Sequence, residues 1–393
     1  MFLLYRNRII LCLIFFFYIT KIAANNCHDD DYIKASLLVA EEGLPIFSAG
    51  GHVAIRMECT QKKVDYIYEY VALIKNNYAI DYIFETPKGK YLRRYTTDYI
   101  KQYEEEERAL HQIELILNPN NEILLWSNLD ELVDSNISYG FDFMYENCSS
   151  MILKTIEDCI YPNTICFDGL PNEYYGSFRE MFPIIFKNSP WATFSWNILL
   201  GNDYDINPHM RFKIFPMAYV SEWDKFTYNS TVGSTPLFRE PTIISQKNHY
   251  NTKSSIQPNI IFSIVIILAL IANFLEYKNR LTLFPKIYDI ILFIGYLSLS
   301  IVLAMLLCFS SQAATDWNWL ILIFSPIHIA AYFMLNRYQP ICLFIFSILL
   351  LVYIVFCPII PQMQHGNIIL IFIAILLRSL FKARNVIKKL LVR

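Results

Sequence analysis

The 393-residue sequence has almost no net charge: 33 Lys and Arg stand against 35 Asp and Glu, a balance of −2 at pH 7. No nucleic-acid partner is expected from it. Between Asn25 and Ser255 no short internal repeat and no low-complexity tract occurs, which removes repeat arrays. Cys and His never fall in the paired spacing of a metal site, so neither a metal nor another cofactor is expected. The apolar runs of the last third lack a polar stripe at helical spacing. That absence excludes ordinary half-buried core helices there.

Apolar residues make up 55% of the chain, enough for a soluble domain plus something else, and they are unevenly spread. Residues 1–24 have the layout of a secretory signal peptide: Arg6 and Arg8, the run Ile9 to Thr20, then Ala23 and Ala24. Cleavage is expected near Ala24. Cys27 is not preceded by the small residues of a lipid-attachment site. After a polar linker, Lys247 to Pro258, the chain turns strongly apolar. Five spans are expected within a membrane domain of residues 256–393, at 260–275, 287–309, 319–335, 341–357 and 367–381, each near the length that crosses about 30 Å of hydrocarbon. Lys278, Arg280 and Lys286 in the first loop, Arg337 in the third, and Arg378, Lys382, Arg384, Lys388, Lys389 and Arg393 at the tail alternate with two loops that have no Lys or Arg. This pattern predicts an exported large domain and a cytoplasmic C-terminus.

Residues 25–255 read as mixed α/β. Strands are expected over His52–Met57 and Val64–Tyr70, joined by a turn at Glu58–Lys63, and a helix follows the turn residues from Asn118 to Val133. The domain has five cysteines, at 27, 59, 148, 159 and 166, in a compartment that permits disulfides. An odd number leaves one thiol free, and Cys159 and Cys166 are close enough in sequence to pair.

In Asp142-Phe-Met-Tyr145-Glu-Asn147-Cys148-Ser149-Ser150, a cysteine follows an aromatic run and precedes an apolar helical pattern. A thiol at a helix N-terminus meets unpaired backbone N–H groups and the favourable end of the helix dipole, both of which stabilise the thiolate. Ser149 and Ser150 are candidates to cap that helix. His52, at the start of its strand, is the candidate base, and Glu69, on the next strand, the candidate group to orient the imidazole. Arg56 reads either as a supporting residue or as an ordinary ion pair. Asn147-Cys148-Ser149 also matches a glycosylation triplet, a poorer explanation of the same residues.

At these residues the sequence resembles the bacterial Lnb N-terminal periplasmic domain family. The resemblance rests on Gly51-His52-Val-Ala-Ile-Arg56, Tyr68-Glu69-Tyr70 and Tyr139-Gly-Phe-Asp-Phe-Met-Tyr-Glu-Asn-Cys148-Ser-Ser150. It extends to Ser177-Phe-Arg179, Leu200-Gly201 through Asp205, Phe215-Pro216, and Asp316-Trp-Asn318 with Pro326. Two positions depart from the family pattern: Gly51 stands where Phe is usual and Glu69 where Asn is usual. The order His, polar residue, Asn-Cys is also similar to permuted papain-like enzymes related to NlpC/P60 domains and to lecithin retinol acyltransferase.

The resemblance implies an α+β exported domain with a permuted papain-like core at about 37–161, a family-specific extension at 162–255, and a transmembrane helical bundle. It further implies a lipoprotein N-acyltransferase of the bacterial inner membrane. An acyl chain would pass from a phospholipid to Cys148 and then to the N-terminal amine of a lipoprotein, with His52 as base, Glu69 as its partner, and Asn147, Ser149, Tyr145 and Arg56 in support. A papain-like hydrolase of the cell wall is the second expectation, and a non-enzymatic membrane binding protein or transporter the third. Asp289 and His328 are the main ionisable residues inside the expected spans.

Overall fold

The computed structural model describes residues 32–391 apart from 44–47, 74–83, 85–87, 168, 231–232, 247–255, 279, 281–282, 311–314, 316, 335–337, 361 and 363–367. The signal segment, Cys27, most of the linker, Asp316 and Arg337 lie outside the described residues.

Strand β1, Ile33–Ala40, pairs antiparallel with β2, His52–Cys59, which pairs with β3, Val64–Leu73, and that with β4, Lys88–Tyr95. Helix α1, Thr96–Glu105, leads to β5, Leu110–Glu114, which returns to the other edge of β1. Helix α2, Pro119–Asp134, the two-residue β6, Tyr139–Gly140, and helix α3, Cys148–Ile160, follow. The two expected strands and the expected helix are therefore present, and α3 opens on the cysteine itself. Cys59 still belongs to β2, so the turn is shorter than expected; it closes at Lys63 with φ +54°.

Alternation along the strands divides the side chains between two layers. Leu37, Val39, Val53, Ile55, Met57, Tyr68 and Tyr70 pack on Leu125 and Leu129 of α2 and on Ile152, Leu153 and Ile156 of α3. Leu38, Ala40, Ala54 and Ile67 face Tyr99 and Tyr103 of α1 on the opposite side. Each fully buried aliphatic side chain contributes on the order of 1.5–3 kcal/mol. The sheet is thus covered on both faces around β1 and β2, and polar chemistry is left to the ends of these strands.

Beyond β7, Ile165–Cys166, come α4, Phe178–Ile185, and α5, Pro190–Leu199, then β8, Thr227–Ser230, and β9, Gly233–Pro236. Strand β10, Thr242–Ser245, joins β5 and completes a seven-stranded sheet in the order β10-β5-β1-β2-β3-β4-β6; β7, β8 and β9 form a separate small sheet. Cys159 and Cys166 are both free thiols, as are Cys59 and Cys148, so the expected pairing is not formed. Cys159 turns its Sγ to the Ile156 carbonyl at 3.0 Å, inside the α3 core.

The C-terminal region is helical: α6, Pro258–Tyr277; α7, Leu283–Phe309; α8, Pro326–Met334; α9, Gln339–Phe356; and α10, Ile368–Leu391. Among the described residues, three stretches, Pro258–Tyr277, Leu283–Phe309 and Gln339–Ile359, are long and apolar enough to cross a membrane. The segment expected as one span at 319–335 is broken. A 3-10 turn over Trp319–Leu322 stops before Pro326, which starts α8. Proline has no N–H to continue the ladder, and the Ile323 carbonyl is taken instead by the Tyr296 hydroxyl and the His328 ring.

Candidate active site

The site is built where β2 begins. Gly51 has φ +81°, and a Cβ there would lie 2.7 Å from the Ala40 carbonyl oxygen and 3.2 Å from Pro216. Only glycine fits this left-handed bend under the neighbouring strand. The departure from the usual Phe therefore has a physical reason, and Phe215-Pro216 packs directly over the residue before the histidine.

His52 is the first residue of β2, and its Nε2 lies 3.1 Å from Glu69 Oε2. Glu69 is opposite Ala54 in the β2–β3 register, so it is the diagonal neighbour of His52 on one face of the sheet. Its other oxygen accepts from Arg94 Nη1 at 3.3 Å, and the same guanidinium nitrogen donates to Gln102 at 2.8 Å. Arg94 sits over the ring of Tyr99. Sequence reasoning missed Arg94 and Tyr103. Their only signal is periodicity: Ile67 pairs with Arg94 and Glu69 with Leu92, which puts Arg94 diagonally beside Glu69.

Asn147, the N-cap of α3, accepts from the Ser149 and Ser150 amides at 3.0 and 3.1 Å. Its own amide donates to Ser150 Oγ at 3.0 Å, and its Nδ2 donates to the Phe143 carbonyl at 3.0 Å. Asn147 and Ser150 thus form the capping pair, worth about 1 kcal/mol. Ser149 does not cap; its hydroxyl is buried with no hydrogen-bond partner among the described residues.

This cap presents Cys148 as the first residue of the helix, partly exposed. The His52 ring and the backbone N–H groups of Val53 and Ser149 are the groups that act on the Cys148 sulfur. Burial pushes the thiol up, but the His52 charge and hydrogen bond and the two amides together hold it below its ordinary value. Burial pulls His52 down, but Tyr103, then Cys148 and Glu69, outweigh it and hold the imidazole well above its ordinary value. Burial raises Glu69, whereas His52 and Arg94 bring it below the ordinary carboxylate value. All three directions favour a thiolate beside an imidazolium beside a carboxylate.

The structure thus brings together Cys148, His52, Glu69 and Asn147. It places Arg56 elsewhere, four residues or about 13 Å further along β2. There Arg56 makes a bidentate pair with Asp65 at 2.8 and 2.7 Å and donates to Gln112 at 3.0 Å. Tyr145 turns away from the thiol onto Phe178 and Phe212.

The segment after α3 ties this end of the sheet to the helices. Ala49 and Met144, near His52 and Cys148, pack with Phe178, Phe182, Phe186, Trp196 and Leu306, the last of which belongs to α7. Arg179 is fully buried and donates to Asp205 at 2.6 Å, Gly201 O at 2.6 Å and Leu200 O at 3.1 Å. Gln362 and Asn318, from the helical region, bond to Leu200 O and Ile198 O. Motifs scattered from Ser177 to Asn318 in sequence therefore converge on one junction. Trp196 is packed core within it, while the partly exposed Trp191 meets Phe194 and Phe262 edge to face.

Fold and site define a membrane protein whose mixed sheet-and-helix N-terminal domain carries a Cys–His–carboxylate cluster and sits on a helical C-terminal region. The chain belongs to the Lnb family: the model of the Lnb N-terminal periplasmic domain matches residues 25–171, and that of the Lnb transmembrane domain matches residues 250–390. No curated protein and no solved structure matches the chain.

Proposed function

We propose that the protein is a membrane-anchored thiol acyltransferase that moves an acyl chain from a phospholipid, through a Cys148 thioester, to the N-terminal amine of a lipoprotein. One observation carries this reading. The helix-starting thiol of Cys148 and the His52–Glu69 pair lie at the same end of the sheet as the aromatic cluster whose far side is Leu306, near the end of an apolar helix. In the first step the Cys148 thiolate attacks the ester carbonyl of the donor, and His52 gives its proton to the departing lysophospholipid oxygen. In the second step the acceptor amine attacks the thioester carbonyl. His52 takes the amine's proton, an amide forms, and the thiolate leaves. The Cys148 amide, first in its helix and with no intrahelical acceptor, is a ready donor to the oxyanion of both steps. Glu69 holds the imidazole and stabilises its charged form.

A strand-borne histidine, a carboxylate on the next strand and a helix-starting cysteine later in the chain support a permuted papain-like core over about 37–161. The starts of α6 and α10 and the ends of α7 and α9 lie on the side of the exported domain: Trp191 bonds to Ile256 O, Phe84 packs on Phe309, and Gln362 reaches Leu200. This arrangement supports five crossings, with 319–334 as the broken third, a periplasmic catalytic domain and a cytoplasmic C-terminus in the bacterial inner membrane. The transporter alternative loses support from Asp289, whose carboxylate is held in a bidentate pair with Arg378.

Proteoliposomes holding the full chain, phospholipid and an acceptor peptide with a diacylglyceryl cysteine at its free N-terminus test the reading. The peptide should gain one acyl mass, and Cys148→Ala should abolish the gain. Cleavage of cell-wall fragments with no acyl gain would instead favour the hydrolase.

A further inference from the structure

Far from Cys148, the helical region encloses a second feature with its own chemistry, a cavity of about 680 Å³ between α7, α8, α9 and α10. Its wall is mainly apolar and aromatic: Phe293, Phe333, Leu343, Ile345, Phe346 and Leu349. One end carries Asp289, Arg378 and Lys382; Tyr296 lies about 10 Å deeper along α7, with His328 of α8 beside it. Arg378, only 4% exposed, is saturated by Asp289 and Asn273 and reaches Glu276 at 3.1 Å. Lys382 bonds to Glu276 at 2.9 Å and Asp289 at 3.1 Å, yet it and both carboxylates stay about one-third exposed. Among the described residues, this end therefore carries two charges of each sign and offers an accessible cation next to accessible anions.

We propose that this cavity holds one zwitterionic phospholipid, its phosphate at Lys382, its ammonium at Asp289, and an acyl chain along α7 and α9. Three observations select that occupant. The volume suits a headgroup and one acyl chain, with the rest of the lipid outside the cavity. The long apolar wall leads from a charged mouth, as a lipid tail leads from its headgroup. The paired charges complement a headgroup bearing both signs, whereas an anionic one would meet two carboxylates beside each cation.

Position separates this lipid from the acyl donor. Asp289 is about 26 Å along α7 from Leu306, which touches the aromatic cluster of the thiol domain. That is close to the thickness of the hydrocarbon layer, so the mouth opens to the leaflet remote from Cys148. The lipid is resident in the bundle and holds α8 to its neighbours, and its binding does not depend on the Cys148 chemistry.

The test uses the full chain in nanodiscs of phosphatidylethanolamine and phosphatidylglycerol, doped with phosphatidylethanolamine bearing a diazirine on one acyl chain. After illumination, cross-links are mapped by peptide mass. Residues 290–296 and 339–349 should be labelled severalfold above the outward face of α6 at Ile264, Ile267 and Ile271, equally in the wild type and in Cys148→Ala. Filling the cavity with Leu349→Trp, or with the more exposed Ile345→Trp should one variant fold poorly, should remove that excess, and Lys382→Gln should lower it. Labelling that matches the α6 face, survives both tryptophans, or is competed better by phosphatidylglycerol would overturn the proposal.

Discussion

Two clusters in this molecule bring a cation against carboxylates, and they do it to different ends. At the start of β2, one carboxylate, Glu69, is shared by an imidazole and Arg94, and the imidazole also faces a thiol. In the helical bundle, Arg378 and Lys382 face Asp289 and Glu276, two charges of each sign. The first cluster couples a thiol and an imidazole whose pKa values move in opposite directions, Cys148 down and His52 up; the second has neither a thiol nor an imidazole. The comparison teaches that buried charge alone does not mark a reactive site. A proton must be free to move within the cluster, and a nucleophile must be reachable from outside it.

The largest effect expected from breaking this contrast is at His52. His52→Ala should lower acyl transfer by about 10²–10⁴-fold. It should also move the pH dependence of Cys148 alkylation upward, because burial of the thiol is then opposed only by the Val53 and Ser149 amides. The wild-type thiolate–imidazolium pair exists above the folded pKa of Cys148, which is lowered, and below that of His52, which is raised. Its alkylation should therefore stay fast through neutral pH and slow only on the acid side.

The bundle cluster should answer differently. Asp289→Asn leaves Arg378 short of its bidentate partner and should cost about 3–5 kcal/mol in the thermal unfolding of the solubilised full chain. The Cys148 alkylation profile of the molecules that stay folded should not change. Glu69→Gln is intermediate: a turnover loss of about 10–100-fold, with the alkylation profile moved part-way toward the His52→Ala curve. Because the folded Glu69 pKa is below its unfolded value, its stabilisation is present above about pH 4.3 and is lost as pH falls through the lower folded value. Glu69→Gln should flatten that acid limb of a stability-against-pH curve. The smallest effect belongs to the helix cap, where Asn147→Ala should destabilise the chain by about 1 kcal/mol in chemical denaturation.

Much of this contrast can be traced in the sequence, and the gaps have physical causes. Strands β2 and β3 are rich in β-branched and aromatic residues, and α2 and α3 each follow turn or cap residues, so His52, Glu69 and Cys148 could be set on their elements. Strand β1 is buried on both faces, and its run Leu37-Leu38-Val39-Ala40 has no alternation to mark it. Arg94 lies on a Lys- and Arg-rich strand that looks like solvent-facing sequence, and only the β3–β4 register reveals its reach to Glu69. Arg56 shows the opposite failure: it shares a motif with His52, but four residues of extended chain carry it to a different ion pair. In the bundle, hydropathy alone could not show that Pro326 divides the third apolar segment, or that Arg378, grouped with the basic tail, turns back to Asp289. The convergence of Arg179, Asp205, Asn318 and Gln362 needed three-dimensional packing.

The central claim is that Cys148 accepts an acyl chain at the bilayer surface, and mass measurement on the intact chain tests it most directly. After single-turnover incubation with phospholipid and no acceptor, the protein should gain one acyl mass, map to the peptide bearing Cys148, and lose it to neutral hydroxylamine. An unmodified Cys148 peptide under those conditions, in protein whose thiol still alkylates rapidly at neutral pH, would contradict it.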